Sequence, residues 1–341
     1  MTTALSSKQI SSSNYSFPVW LRRLTKFTSI STLFLIFAGG MVTSTGSGLS
    51  VPDWPLSYGT FFPPMIGGVF YEHGHRMIAT FVGLLTLIQT IALAVVEQRK
   101  WVKVLGFCSL LAVVLQGVLG GLTVLFYLPV AISSSHAILA QTFLGLTIII
   151  AYSQSMERRQ REYEKFEAKG DFLKMILIFI GLIYVQLFLG AFMRHTESGL
   201  AIYDFPTMGG EWLPAFDQAM LANINAWRFE HDLPNVTMHQ VVAHFLHRVG
   251  ALLVLTGLWI VLSKGFKYYR QYAPIKKILN LLMFVITIQI ILGIVTVLSG
   301  KSPILTSIHV ATEAFTLGCA VFLFLRSAPL RLEDLKKVLS S

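Results

Sequence analysis

The sequence predicts an all-α polytopic membrane protein, with eight transmembrane helices arranged as two parallel-repeat four-helix bundles related by a pseudo-two-fold axis along the membrane normal. Three observations support this fold class. Of the 341 residues, 54% are hydrophobic and only 13% are charged, a composition too apolar for a soluble domain. Eight apolar stretches have the length of a membrane span. Several motifs also recur between the two halves of the chain.

The eight apolar stretches are each roughly 17–25 residues long, the length that a helix needs to cross a bilayer. Backbone polar groups in the hydrocarbon layer must be hydrogen-bonded within the segment, so each stretch is predicted to be a helix. The predicted spans are 27–45, 76–96, 104–126, 135–153, 174–193, 247–263, 278–299 and 306–325. They divide the chain into an N-terminal tail (1–26), a first bundle (27–153), a cytoplasmic linker (154–173), a second bundle (174–326) and a C-terminal tail (327–341).

Basic residues lie almost entirely in every second connection between the predicted spans. The chain has 27 Lys and Arg against 17 Asp and Glu, a formal net charge of +10. Such a charge can indicate nucleic-acid binding, but its confinement to short loops is typical of membrane topology. We therefore expect the lipid bilayer and no nucleic acid as a partner, and a location in the cell inner (cytoplasmic) membrane. Both termini are predicted to be cytoplasmic, with the long loops 46–75 and 194–246 outside.

An internal repeat relates the two halves. Ser47-Gly48-Leu49 recurs as Ser198-Gly199-Leu200 at an offset of 151 residues, and the segment 116–124 resembles 289–297 at an offset of 173. The offset grows because the second outer loop is longer. Four spans per half is an even number, so the two halves enter the membrane in the same direction. This predicts a parallel repeat and not an inverted one.

Four histidines follow the same repeat. His75 corresponds to His247, and His136 corresponds to His309. All four lie at the outer ends of even-numbered spans, where ionisable groups are costly and usually functional. Two imidazoles from neighbouring helices can ligate one haem iron from both sides. Zinc would require more converging ligands than the sequence offers.

Charged residues accompany these histidines unequally. Arg76 and Arg248 each follow a histidine, and they either anchor the helix at the interface or pair with haem propionates. Glu72 precedes the first histidine by three residues, but the corresponding position in the second half is His244. Glu313 lies one turn into the eighth span, where a local structural role is favoured over catalysis.

The chain resembles the haem A synthase family from about Trp20 to Arg326. Many bacterial members of that family carry a cysteine pair in the first outer loop, where this chain has Val51 and Ser57. The residues that carry the resemblance are Thr45 to Leu49 with Asp53-Trp54-Pro55, Glu72 with His75-Arg76, His136, Ser198 to Leu200, His247-Arg248 and His309.

The resemblance implies an oxidoreductase that converts the C8 methyl group of haem O to the formyl group of haem A, for use by terminal cytochrome oxidases. It implies that the iron of haem O lies between His75 and His136, with Glu72 as the catalytic residue. It implies that haem b lies between His247 and His309. Haem O synthase (protohaem farnesyltransferase) and an electron acceptor are the implied partners.

Two other functions fit parts of the pattern. A bis-histidine di-haem b cytochrome would transfer electrons without modifying either haem, but it would not need the difference between Glu72 and His244. A transporter built from a parallel repeat would break its spans with Gly or Pro near the bilayer midplane. The prolines of this chain lie mostly at span ends.

Overall fold

The computed structural model describes residues 18–161, 167–330 and 332–340. The regular secondary structure of these residues is helical, without a β-strand. Eight helices in it are long and apolar enough to cross a membrane. They are α1 (Val19–Ser44), α2 (Gly68–Val96), α3 (Lys100–Leu125), α4 (Val130–Ser153), α6 (Gly170–His195), α8 (Met238–Tyr268), α9 (Ala273–Leu298) and α10 (Pro303–Ser327). The prediction of an all-helical protein with eight spans is therefore confirmed.

Several helices begin well before the predicted spans, and α2 and α8 do so where the two long loops enter them. Helix α2 begins at Gly68 and α8 begins at Met238, both well before the apolar stretches. Polar side chains continue these helices because the folded outer loops cover them. At the start of α8, the backbone N–H of Thr237 donates to Oε1 of Gln240 at 2.9 Å, a contact typical of a helix N-terminus.

Three shorter helices complete the described chain: α5 (Met156–Arg161), α7 (Gln218–Glu230) and α11 (Leu332–Ser340). Most of the tail predicted for 1–26 lies outside the described residues, and α1 already begins at Val19. Residues 162–166 of the linker, and Arg331 and Ser341 of the C-terminal tail, also lie outside them.

Part of the linker predicted for 154–173 is buried, with Arg158 8% and Arg161 4% exposed. Arg161 of α5 donates from Nη1 to the carbonyl oxygen of Leu325 and from Nη2 to that of Ala328, both at 2.9 Å. The last carbonyl groups of a helix have no partner within the helix and carry partial negative charge, which attracts a guanidinium. Glu157 also pairs with Arg326 at 2.6 Å. The linker thus caps the C-terminal end of α10.

The helices pack in the same order in each half. Helix α1 contacts α2 and α4, and α3 lies between α2 and α4; likewise α6 contacts α8 and α10, and α9 lies between α8 and α10. Between the halves, α1 packs on α10, α4 packs on α6, and α4 packs on α10. A two-fold rotation that exchanges the halves would exchange the first two of these contacts and preserve the third. The symmetry axis itself stays a prediction.

The largest apolar cluster lies in the second half, around Phe172, Phe179 and Leu279. Large apolar side chains also lie exposed on the outer faces of the helices, among them Ile30 and Trp259. In a bilayer such side chains contact lipid, so their exposure is the expected surface of a membrane protein.

Candidate functional site

The structure brings the four predicted histidines together as two pairs. His75 of α2 faces His136 of α4 closely enough to interact electrostatically, and His247 of α8 faces His309 of α10 in the same way. Each imidazole is enclosed by protein on nearly all sides, yet each keeps some accessible surface. Each pair therefore lies between two helices of the same half, in close protein surroundings.

Each imidazole rests against a glycine of a neighbouring helix. A Cβ atom placed on any of these glycines would lie 3.1 or 3.2 Å from Cε1 of its histidine, closer than ordinary van der Waals contact. The repeat therefore preserves a flat, side-chain-free support for all four rings. The pairs are Gly39 with His75, Gly120 with His136, Gly190 with His247, and Gly293 with His309.

The histidine nitrogens fit ligation of iron. Nδ1 of His75, His136 and His309 is buried and has no hydrogen-bond partner among the described residues. Nε2 of these rings is not buried in this way, so it is the more accessible of the two ring nitrogens. The backbone of His136 is fixed separately, because Nε2 of Gln116 donates to its carbonyl oxygen at 2.9 Å. Paired imidazoles held in this manner suit a haem that enters edge-on between them.

Arg76 ties the first outer loop to α2. Its Nη1 donates to the carbonyl oxygens of Asp53 and Leu56 at 2.8 Å, and its Nη2 donates to that of Val51 at 3.2 Å. The same Nη2 contacts Oε1 of Glu72 at 2.7 Å. Most of the guanidinium donors are therefore engaged by protein groups.

Arg248 makes the corresponding contacts in the second half. It donates to the carbonyl oxygens of Asp204 at 2.7 Å, Thr207 at 3.0 Å and Ile202 at 3.3 Å. The sequence left open whether these arginines anchor the helix at the interface, pair with haem propionates, or do both. The contacts in the structure are those of two residues that anchor the loops over the histidine pairs.

Glu72 and His244 occupy equivalent positions with equivalent partners. Glu72 is 4% exposed, and its carboxylate accepts from Arg76 and, at 2.8 Å, from the backbone N–H of Val51. His244 contacts the corresponding arginine and loop amide at 3.3 and 3.2 Å. Both side chains therefore help to hold an outer loop, and only Glu72 adds a carboxylate next to a histidine pair.

An aspartate fixes the tip of each outer loop. A hydrogen bond from the backbone N–H of Gly59, 2.8 Å from Asp53, holds the pKa of that carboxyl below its usual value. Burial works in the opposite direction at Asp204, but hydrogen bonds from Thr207 and from the backbone N–H of Gly210 lower its pKa. Ionised carboxylates of this kind order a loop by accepting backbone hydrogen bonds.

Sequence reasoning missed a polar cluster where the halves meet. Nη2 of Arg194 in α6 donates to the carbonyl oxygen of Gly40 and to Oγ of Ser44 in α1, both at 2.7 Å. The next residue, His195, is near enough to His136 to interact with it electrostatically. The repeat hid this cluster, because Thr43 and Ser44 stand at the corresponding positions of α1. An arginine and a histidine at the end of an apolar span were the available signal.

Glu313 belongs to the same region. Its side chain is enclosed by α6 and α10, Oε1 has no hydrogen-bond partner within the described chain, and the carboxyl interacts electrostatically with Arg194. The local structural role that the sequence favours for Glu313 stays a prediction.

The fold and the histidine pairs define a class: a polytopic helical membrane protein with one bis-histidine site in each half. The family described as "Cytochrome oxidase assembly protein" matches residues 22–321. With the relatives below, this match shows that the chain belongs to the haem A synthase family.

The relatives cover most of the chain. "Heme A synthase" of Halalkalibacterium halodurans is 28% identical over 309 residues, which are 87% of this chain and 94% of the relative. "Heme A synthase" of Shouchella clausii is 26% identical over 308 residues, or 88% and 95% of the two chains. That of Bacillus licheniformis is 32% identical over 203 residues, or 57% and 66%.

Proposed function

We propose that this chain is the oxidoreductase that converts haem O to haem A, with the substrate in the first half and a resident haem b in the second. The observation that carries the proposal is the pair of glycine-supported bis-histidine sites in a member of this family. One site alone would bind a haem. Two sites with different neighbours allow one haem to be modified while the other serves the reaction.

The first half would hold haem O through His75 and His136. Gly39 and Gly120 leave room for the two rings beside their helices, so both ligands can hold the substrate from fixed positions. Conversion of the methyl to a formyl group consumes one water and releases four electrons and four protons: two hydroxylations give a gem-diol, which loses water. Orientation of this kind is a major part of catalysis.

Glu72 is the proposed catalytic residue, as acceptor of protons released near the methyl carbon. It lies three residues before His75 on the same helix, and these positions share one helix face. Its carboxylate contacts Nη2 of Arg76 at 2.7 Å and is thereby held in one position. Because the carboxylate also holds the loop, its removal is expected to affect both the chemistry and the cover of the site.

The second half would hold haem b through His247 and His309. Haem b would supply one-electron transfer between the reaction site and an electron acceptor. In this proposal Arg76 and Arg248 contribute to cofactor binding because they fix the loops around the haems. Any contact with a haem propionate would use the guanidinium N–H groups that do not bind loop carbonyl oxygens. The first bundle, linker and second bundle proposed from the sequence are the corresponding domains.

The surroundings of the enzyme follow from its topology. An even number of spans puts both termini on one side, and the distribution of basic residues assigns that side to the cytoplasm. The inner membrane is the proposed location, and the outer loops that cover both sites are proposed to lie outside. Haem O synthase is the proposed source of the substrate, and an unidentified electron acceptor completes the reaction.

A second candidate is a di-haem b electron-transfer cytochrome. The equivalent contacts of Glu72 and His244 favour it, because they show that Glu72 has a loop-holding role in addition to any catalytic one. The two proposals differ in whether the first-half haem is chemically changed.

The test is a set of four variants of the full chain, purified from cells that make haem O. His247→Ala and His309→Ala should lower the haem b content. His75→Ala and His136→Ala should remove haem O or haem A while haem b is retained. Full haem content and full production of haem A in all four variants would refute the ligand assignment.

A further inference from the structure

An apolar groove of about 470 Å³ runs along the junction between the two halves. Helix α1 forms one wall, α9 and α10 form the other, and α4 lies at the bottom. A Cβ atom on Gly318 of α10 would lie 2.8 Å from Cδ1 of Ile148 of α4, so these two helices close the groove from below. Ile30, Leu281 and Phe315 on its walls are exposed. The groove therefore opens toward the lipid, which is the surrounding of exposed apolar side chains on membrane helices.

The equivalent position on the other side of the molecule is bridged by side chains. The glycine and histidine pairs give offsets of 151 residues between α1 and α6 and of 173 between α4 and α10. Tyr184 therefore corresponds to Leu33, and Thr142 corresponds to Phe315. The hydroxyl of Tyr184 donates to Oγ1 of Thr142 at 3.3 Å, where α6 packs on α4. Leu33 and Phe315 cannot form this bond, so their groove stays open.

Two lysines stand at one end of the open groove. Lys277 of α9 is one of its lining residues, and Lys26 lies one turn before Ile30 on α1. Both lysines are exposed, and neither forms a hydrogen bond or an ion pair with another described residue. Helices α1 and α9 begin at this end and α10 ends there. In the proposed topology it lies in the cytoplasmic leaflet.

A third basic residue at the same end already has a partner. Arg326 lines the groove, but its Nε and Nη2 both contact the carboxylate of Glu157 at 2.6 Å. The first-half counterparts of Lys277 and Arg326 are Val104 and Ser153, and neither carries a charge. The unpaired lysine thus accompanies the open groove, whereas its counterpart beside the bridged position is apolar.

We propose that this groove binds one anionic phospholipid, with an acyl chain against the apolar walls and the phosphate at Lys26 and Lys277. Basic pockets between transmembrane helices on the cytoplasmic side are typical sites for anionic headgroups. A zwitterionic phospholipid fits the same walls, but it brings a positive charge of its own close to the lysines. An isoprenoid chain without a phosphate leaves both lysines without a counter-ion. The bound phospholipid contacts both halves and holds α1 against α9 and α10.

The experiment is native mass spectrometry of the full-length, haem-loaded protein in a neutral detergent. The protein is titrated with phosphatidylglycerol or with phosphatidylcholine of identical acyl chains. The expected result is one phosphatidylglycerol bound per chain, with a higher affinity than phosphatidylcholine. Lys277→Gln should weaken the binding of phosphatidylglycerol about fivefold, which is the effect of one basic residue near an anionic lipid. It should leave the binding of phosphatidylcholine unchanged.

The neighbouring Lys276 supplies the matched control. It is exposed but does not line the groove, so Lys276→Gln removes the same charge and should leave lipid binding unchanged. Leu33→Tyr with Phe315→Thr copies the bridged position of the other side and should remove the tight binding of phosphatidylglycerol. None of these residues belongs to a histidine pair or its glycine supports, so the haem content shows that each variant is folded.

Three results would overturn the proposal. Equal affinity for the two lipids would show that the groove does not recognise a negative charge. Equal losses in Lys276→Gln and Lys277→Gln would show attraction to the overall charge of this end of the bundle and not to a site. Undiminished binding in the double variant would place the phospholipid outside the groove. The lysine variants decide the question even where the double variant does not accumulate.

Discussion

The glycine supports give the sharpest prediction about the binding sites. In Gly120→Ala, the new Cβ would lie 3.2 Å from Cε1 of His136, inside the 3.4–4 Å of ordinary contact. The imidazole must therefore move by a few tenths of an ångström or turn. Its position decides whether Nε2 reaches the iron, and disturbed ligand orientation typically costs 10–100-fold in affinity.

A neighbouring glycine supplies the matched control. Gly117 lies on the same helix, and a Cβ there would meet no atom within 4 Å. Both substitutions improve helix propensity by about 0.5–1 kcal/mol, so a difference between them reports the histidine contact alone. The assay is the haem O and haem A content per chain after purification, with haem b as internal reference. Gly120→Ala should lower the content of haem O and haem A and leave the content of haem b unchanged. Gly117→Ala should change neither content. Equal haem content in the two variants would refute the claim that Gly120 supports the His136 ring.

Three further predictions test individual contacts. Glu72→Gln should lower the formation of haem A by roughly 10²–10⁴-fold and leave haem b in place. Chromatography of the extracted haems measures both. Formation of haem A at the wild-type rate would exclude a catalytic role for Glu72. At Glu97, burial raises the pKa, but hydrogen bonds from Arg99 and Gln154 outweigh burial and lower the pKa to about 2. Because the pKa is lowered in the folded protein, the ionised carboxylate stabilises the fold above about pH 4.5, and this stability is lost as the pH falls toward 2. Thermal unfolding in detergent between pH 5 and 2 should show a weaker pH dependence in Glu97→Gln, and an unchanged dependence would contradict this assignment. Arg161→Ala should destabilise the protein by about 1.5–3 kcal/mol, because its hydrogen bonds to the end of α10 are lost. Arg159 is partly exposed, so the control Arg159→Ala should have little effect. Equal unfolding temperatures of the two variants would show that the contacts of Arg161 with α10 contribute nothing to stability.

The sequence predicted the spans because apolar length and composition determine what a bilayer accepts. It predicted that His75 corresponds to His247 and His136 to His309, because a repeat preserves register. The pairing of the two histidines within each half was implied by the family resemblance. It could not predict that α2 begins at Gly68, since this depends on cover by a loop that is distant in sequence.

Contacts between segments were also beyond the sequence. The engagement of Arg76 with loop carbonyls depends on how residues 51–57 fold back over α2. The cluster around Arg194 depends on how α6 meets α1, and the repeat gives no information about a position that differs between the halves.

The central claim is that the first half changes a haem chemically. The most direct measurement is the identity of the haems extracted from the purified wild-type chain, produced in cells that make haem O and separated by chromatography. Our account predicts haem A together with haem O or its hydroxylated form, alongside protohaem from the second half. Protohaem alone, with both histidine pairs occupied, would contradict the account and identify an electron-transfer cytochrome.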